Sequence, residues 1–274
     1  MVCISLERIK VNKNVKKKSW ASRAMRKIKH HLKVPNISLW PFAAGAPLFL
    51  KIFLAYQPDS HNTFKAHPEF KSLFKRFIRY NKLNNAGDVA RLWCLILNIK
   101  QVMSDKIDGD FAELGVWRGN TAAVLAHYAN NNNRNLYLFD TFEGFDKRDI
   151  EGIDANQEIK FNDTSIGLVR EVIGKDSKNC HFIQGYFPES LKGQTISGKF
   201  AVVSLDCDLY EPMKEGLDYF YPRMDKGAIF LLHDYSSMSW AGAKKAIDDF
   251  CHKQDERIVL MPDKSGSAFL RKSH

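Results

Sequence analysis

The chain has 274 residues, 45% of them hydrophobic, and a net charge of +10. That length suits one large α/β domain with an appendage, or two small domains, and the hydrophobic content is that of an ordinary globular chain. The charge belongs to the start of the chain: residues 1–33 hold eleven Lys/Arg and one acid, Glu7, and the remainder carries equal numbers of acids and bases. The surplus therefore says nothing about what the rest of the chain binds, and it argues against nucleic acid as that partner.

Residues 1–35 read as a basic arm. Ser19 to Leu32 can form a helix with Trp20, Ile28 and Leu32 on one face, and Pro35 ends it. Such a helix lies on an anionic membrane or touches nucleic acid; the competing reading is a solvated tail. Residues 37–56 are apolar but interrupted by Pro41, Gly45, Pro47 and Lys51. That argues against a straight membrane span and for a segment that packs on the main domain, covers a site or forms a dimer contact. Peripheral membrane contact through residues 1–56 follows as an expectation. The five cysteines are scattered, with no C-x-x-C, which predicts neither a disulfide framework nor a structural zinc and fits a reducing cytoplasm.

In HPEFKSLFKRFIRY, residues Phe70, Leu73, Phe74, Phe77 and Ile78 fall at helical spacing, so a core-facing helix is expected rather than an RNA-binding stretch. Asp88 to Met103 reads as a second helix. We expect residues 36–105 to form a helical extension and 106–274 the main domain. There, strands are predicted at 110–117, 135–140, 180–186, 200–206, 227–233, 257–261 and 267–271. Helices are predicted at 120–131, 165–174, 210–223 and 241–253. This alternation argues a doubly wound, mostly parallel seven-stranded sheet of the Rossmann-like α/β class. The short connection from Pro262 to Gly266 makes the last two strands a hairpin, so the final strand runs antiparallel.

Ligands sit beyond the carboxyl ends of strands in such sheets. The first strand runs into Glu113, Gly115, Trp117, Gly119 and Thr121. Two glycines let the backbone approach a ligand, and the following helix offers free N–H groups. The spacing is G-x-x-x-G, not the dinucleotide G-x-G-x-x-G, so NAD is not expected. The second strand ends in Asp140, followed by Thr141 and Phe142; an acid there suits two ribose hydroxyls, or else caps a turn. The fourth ends in Asp206-Cys207-Asp208 and the fifth in His233-Asp234-Tyr235. Two carboxylates on neighbouring strand ends need a cation or a shared proton, and a hard divalent cation meets that need. His233 is a further ligand, a base, or a hydrogen-bonded structural histidine. Imidazole suits Mn²⁺ or Fe²⁺ better than Mg²⁺.

The set ELGVWRGNT, DTFEGF, GYFPESL, LDCDLYEP and HDY resembles the macrocin O-methyltransferase-like family of S-adenosylmethionine-dependent enzymes, over roughly residues 80–272. The resemblance implies a class I methyltransferase fold and an oligomer, a dimer or larger. It implies cofactor roles for Glu113, Gly115, Gly119 and Asp140, to which Trp117, Thr121 and Phe142 of the same loops are added as candidates, and Mg²⁺ or another divalent cation on Asp206 and Asp234, with His233 the candidate third ligand from its place beside Asp234. The family's fifth-strand motif is commonly Asp-Asp-Tyr, so His233 is a departure. Leu209 stands where catechol-type relatives keep a lysine. The implied reaction is methylation of a hydroxyl on a sugar, glycan or glycosylated natural product, with Asp206, Asp208 or His233 as base, His233 first where no metal binds. The competing readings are a membrane-peripheral enzyme of lipid-linked glycans, an RNA methyltransferase, and a non-catalytic module with a lost metal site.

Overall fold

In a computed structural model of the chain, residues 67–196 and 198–274 are described. The basic arm and the apolar stretch 37–56 lie outside the described residues. Glu69–His274 forms one compact unit.

Three helices come first: α1 (Phe70–Phe77), the short α2 (Lys82–Asn85) and α3 (Val89–Ser104). The predicted spacing in α1 holds, with Phe70, Leu73, Phe74 and Phe77 all buried. Asp88 caps α3 by accepting the Arg91 N–H at 3.3 Å, the expected work of an N-cap aspartate. Phe70 stacks on Trp93 at 4.1 Å, which fastens α1 to α3. These helices belong to the same compact unit as the sheet that follows.

The sheet comprises β1 (Asp110–Leu114), β2 (Leu136–Asp140), β3 (Cys180–Gln184), β4 (Phe200–Leu205), β5 (Met224–Leu232), β6 (Ile258–Leu260) and β7 (Ala268–Arg271). Between them run α4 (Asn120–Asn131), α5 (Ile166–Ile173), α6 (Tyr210–Phe220) and α7 (Ala241–Gln254). The strand order is β3-β2-β1-β4-β5-β7-β6. Pairings are parallel from β3 to β5, while β7 is antiparallel to both β5 and β6, as the hairpin reading requires. Every residue of β4 is buried, the signature of a central strand covered on both faces. Strand order reverses between β1 and β4, and the crevice outside their carboxyl ends is where such a sheet takes a ligand.

The loop from Thr141 to Thr164 contains two 3₁₀ turns, Lys147–Asp149 and Gly152–Asp154, which the periodicity does not reveal. Asp154 ties this loop to the sheet's helices. Its carboxylate accepts the Tyr210 N–H at 2.7 Å and a backbone N–H from Gly242. It thereby caps α6 and α7, whose own N-cap residues, Leu209 and Trp240, make no side-chain capping bond. Asp154→Ala is expected to cost about 2 kcal/mol, one capping contribution for each helix. Urea denaturation checks this; a loss under about 0.5 kcal/mol would show that water replaces the cap. Among the described residues no helix is long and apolar enough to cross a membrane.

Candidate active site

The β1–α4 turn is built on two left-handed glycines. Gly115 has φ +84°, and a Cβ there would stand 2.1 Å from the Asp206 carbonyl oxygen. Gly119 has φ +77° and faces Val169, so α4 starts tight against α5. Asp140 closes the turn from the side. One of its oxygens accepts the N–H groups of Val116 (2.6 Å) and Trp117 (2.9 Å); the other accepts that of Phe142 (2.7 Å). Its first task is thus to hold the turn; Oδ2 is filled by its two N–H donors, and Oδ1 keeps a lone pair that a ligand hydroxyl can use.

A cleft of about 280 Å³ opens on this turn. Among the expected residues it is lined by Glu113, Gly115, Trp117, Thr121, Asp140, Asp206, Asp208, His233 and Asp234, but not by Gly119 or Phe142. Gly119 works through α4's start. The ring of Phe142 is buried, at 6.5 Å from that of Phe182. The indole of Trp117 donates to Asp163 at 2.8 Å. Sequence reasoning missed Arg91, Asn120, Asp149, Tyr186 and Trp240, which also line the cleft.

Two buried acceptors at the turn have no partner among the described residues, Glu113 Oε2 and Asn120 Oδ1. Asn120 spends its amide on the carbonyls of Arg76 (3.1 Å) and Arg79 (2.8 Å). Burial, then the charges of Asp206 and Asp140, push the Glu113 carboxyl well above the usual carboxylate range. A carboxyl raised in this way ionises only when a donor or a cation comes beside it.

At the ends of β4 and β5 the structure brings Asp206, His233 and Asp234 together, each offering a ligand atom within 4.8 Å of the others. His233 Nδ1 lies 2.7 Å from Asp206 Oδ1 and also contacts Asp234 Oδ2. His233 Nε2 meets Arg91 Nη1. Burial disfavours charge on the imidazole, but the two carboxylates outweigh it and raise its pKa well above the usual value, against the opposition of Arg91. Burial likewise works to raise Asp206, yet His233 and Arg91 hold it below the ordinary value. Asp208 goes the other way. Burial and the charges of Asp234 and Asp206 push its pKa well up, which favours its protonated form. As folded, both nitrogens of His233 are engaged by protein groups. The spacing of the three ligand atoms would admit a divalent ion held by Asp206, His233 and Asp234.

On another wall the 3₁₀ turn places Asp149, which accepts the Tyr186 hydroxyl at 2.7 Å. Burial raises its pKa to about 6. The unfolded chain gives up this proton near pH 4 and the folded chain near pH 6, so stability falls as pH rises through that window. Asp149→Asn keeps the acceptor and removes the charge. It is expected to stabilise the fold by about 2 kcal/mol at pH 8, with the gain vanishing toward pH 4. Melting curves across this range measure it; a gain independent of pH would show that Asp149 does not titrate in this way.

A seven-stranded sheet with a terminal antiparallel hairpin, a glycine turn after β1 and an acid after β2 define a class I methyltransferase architecture. The chain belongs to the macrocin-O-methyltransferase (TylF) family, whose model matches residues 87–270. It is 28% identical over 151 residues to the 8-demethyl-8-(2,3-dimethoxy-alpha-L-rhamnosyl)-tetracenomycin-C 4'-O-methyltransferase of Streptomyces olivaceus, covering 50% of this chain and 57% of that protein. It is 25% identical over 182 residues to the demethyldecarbamoylnovobiocin O-methyltransferase of Streptomyces niveus, covering 60% and 68%. The match thus spans little more than half the length of the first relative. The structure of the O-methyltransferase NovP shares the fold, with a TM-score of 0.59 at 21% identity over 68% of this chain and 81% of that one.

Proposed function

We propose that the chain is an S-adenosylmethionine-dependent O-methyltransferase whose acceptor is a hydroxyl on a sugar or glycosylated small molecule. The observation that carries the cofactor reading is the pair of partnerless acceptors, Glu113 Oε2 and Asn120 Oδ1, beside the glycine turn. Both suit the ammonium of an amino-acid end. Asp140, at the end of the next strand, suits ribose hydroxyls. A ligand with an ammonium at one end and a ribose along its length spans β1 and β2 as the methyl donor would. The acceptor class rests on the family, one of whose relatives above is named for a rhamnosyl-bearing compound.

When bound, the donor supplies an electrophilic methyl group on sulfur. The acceptor oxygen would take that methyl as the carbon–sulfur bond breaks, and a base of this chain would take the hydroxyl proton. Alignment of oxygen with methyl supplies much of the rate. Asp206 is the base we favour. Its pKa is held down, and its side chain is 26% exposed against 8% for Asp234. His233 then holds Asp206 in place and shares the charge. A divalent cation on Asp206, His233 and Asp234 is the alternative source of that activation, and it would polarise the same hydroxyl.

Calorimetry with S-adenosylmethionine tests the cofactor reading. Binding in the micromolar range is expected, and no binding at millimolar ligand would sink it. A screen of glycoside acceptors with labelled methyl donor then tests the acceptor class; labelling confined to phenols or RNA would overturn it.

A further inference from the structure

We infer that Trp240, with Phe145 and Phe161 around it, is a stacking platform for the apolar face of a sugar ring, and that it sets which acceptors the cleft takes. The inference deepens the acceptor reading above and rests on it for the kind of ring that stacks.

The strand order says which side of the cleft is left for an acceptor. Glu113, Asn120 and Asp140 seat the methyl donor along β1 and β2, and β3 lies beyond them. The ends of β4 and β5, with Asp206 and Asp234, stand on the other side of the switch point. Trp240 comes between β5 and α7, so it lines the cleft on the side where the reacting hydroxyl belongs.

The loop between β2 and α5 crosses over to meet it. Phe145, near the start of that loop, packs edge-on against Trp240 at 5.6 Å and against Phe161 at 5.2 Å. Phe161, near the loop's end, lies 6.0 Å from Trp240. Gln157 Nε2 donates to the Ser239 carbonyl at 3.1 Å and holds the loop there. The three rings thus touch one another, line the cleft and are only partly buried. The rings of the core are placed otherwise: Phe111, Phe139, Phe200 and Phe230 are fully buried. Half-buried aromatic surface gathered in a cleft marks a ligand site rather than a core. Lys160 Nζ stands 4.8 Å from the Trp240 ring centre. It does not line the cleft, so it backs the ring from outside.

The polar residues of the cleft choose among apolar ligands. Asn84, on α2, and Ser265, in the β6–β7 turn, also line it, and they bring an amide and a hydroxyl. An aromatic aglycone would use the rings and leave these groups idle. A sugar uses both, with C–H bonds over one face of its ring and hydroxyls around the edge. The negative face of an aromatic ring attracts those slightly positive hydrogens.

Saturation-transfer NMR on the whole chain, with a panel of methyl hexosides and methyl 6-deoxyhexosides, tests this without turnover. At least one glycoside is expected to receive saturation on its ring C–H protons from the wild type. Trp240→Phe keeps a flat ring and is expected to bind that glycoside within threefold of wild type. Trp240→Leu keeps apolar bulk without the flat face and is expected to bind it roughly tenfold more weakly, about the worth of a stacked aromatic contact. S-adenosylmethionine affinity is expected to be the same in both variants. A thermal melt reports folding. Because Phe161 also meets Trp117 of the cofactor turn at 5.1 Å, Phe145→Leu is the second variant should Trp240→Leu not fold, with the same weakening expected. A wild type that binds no S-adenosylmethionine counts against the donor reading, and the glycoside titration still decides this one. No saturation of any glycoside by the wild type overturns the inference. So does a folded Trp240→Leu that binds glycoside as the wild type does. A variant that loses S-adenosylmethionine in the same proportion overturns it too, because the rings would then belong to the cofactor.

Discussion

Gly115→Ala is expected to abolish S-adenosylmethionine binding and to lower the melting temperature by about 10 °C, a loss of about 3–4 kcal/mol for a domain of this size. Two costs add. The residue has φ +84°, a region that charges an L-residue roughly 1–2 kcal/mol. The new methyl would also stand 2.1 Å from the Asp206 carbonyl oxygen and 2.6 Å from its carbonyl carbon. Neither atom can retreat, because Asp206 N–H is bonded to the Leu114 carbonyl at 2.9 Å and Leu114 pairs with Leu205 in the β1–β4 ladder. Relief must come from the turn itself. Its movement pulls Val116 and Trp117 from Asp140 and displaces the wall that carries Glu113. A thermal melt and a calorimetric titration together check the result. Cofactor affinity within threefold of wild type would show that the turn is not the cofactor's seat.

Much of this turn is readable in the residues themselves. Gly115 and Gly119 announce backbone that a Cβ would forbid, and the apolar run of β1 announces the central strand before them. The strand-end acids are legible for a similar reason. Burial of both faces makes the central strands continuous apolar runs, so the first acid after each run marks a carboxyl end. That logic places Asp140, Asp206 and Asp234 beside one cleft. The hairpin of β6 and β7 follows from a connection too short for a crossover helix. The start of β5 was misplaced by three residues, because Met224 pairs with Phe200 across an irregularity, and Asp225 and Lys226 are exposed there. No apolar pattern marks such a segment.

Arg91 shows where a single sequence stops. Its position reads as one basic residue in an apolar helix, and nothing local says that this helix start meets the end of β5, 142 residues away. Asp149 and Asp154 are hidden for another reason. They sit in 3₁₀ turns of a long loop, whose placement depends on Tyr186 and on the starts of α6 and α7 rather than on any periodicity. The sequence also could not rank Asp206 against Asp208. They stand two residues apart with the same chemistry, and burial together with the His233 contact drives their pKa values in opposite directions.

That divergence sets up the other large effect. Asp206→Asn is expected to cut kcat by roughly 10²–10⁴, the usual worth of a general base, while changing S-adenosylmethionine affinity less than threefold. The side chain keeps its shape, and an amide oxygen can still accept from His233 Nδ1. The Asp206 backbone against Gly115 is untouched, so the cofactor turn held by Asp140 should stand. What is lost is the ionised oxygen open to the cleft. Asp208 is the poorer replacement, since burial and the neighbouring carboxylates favour its protonated form. His233 cannot replace it without giving up Arg91 or Asp234. Asp208→Asn should therefore be much milder than Asp206→Asn, because it exchanges one neutral polar group for another. Steady-state kinetics on an acceptor found in the glycoside screen, with calorimetry on the same variants, read both quantities. If Asp208→Asn proves the more damaging of the two in kcat, the proton goes to Asp208 and burial has been overridden by the bound substrate. If neither variant loses more than threefold, the base lies outside this strand end.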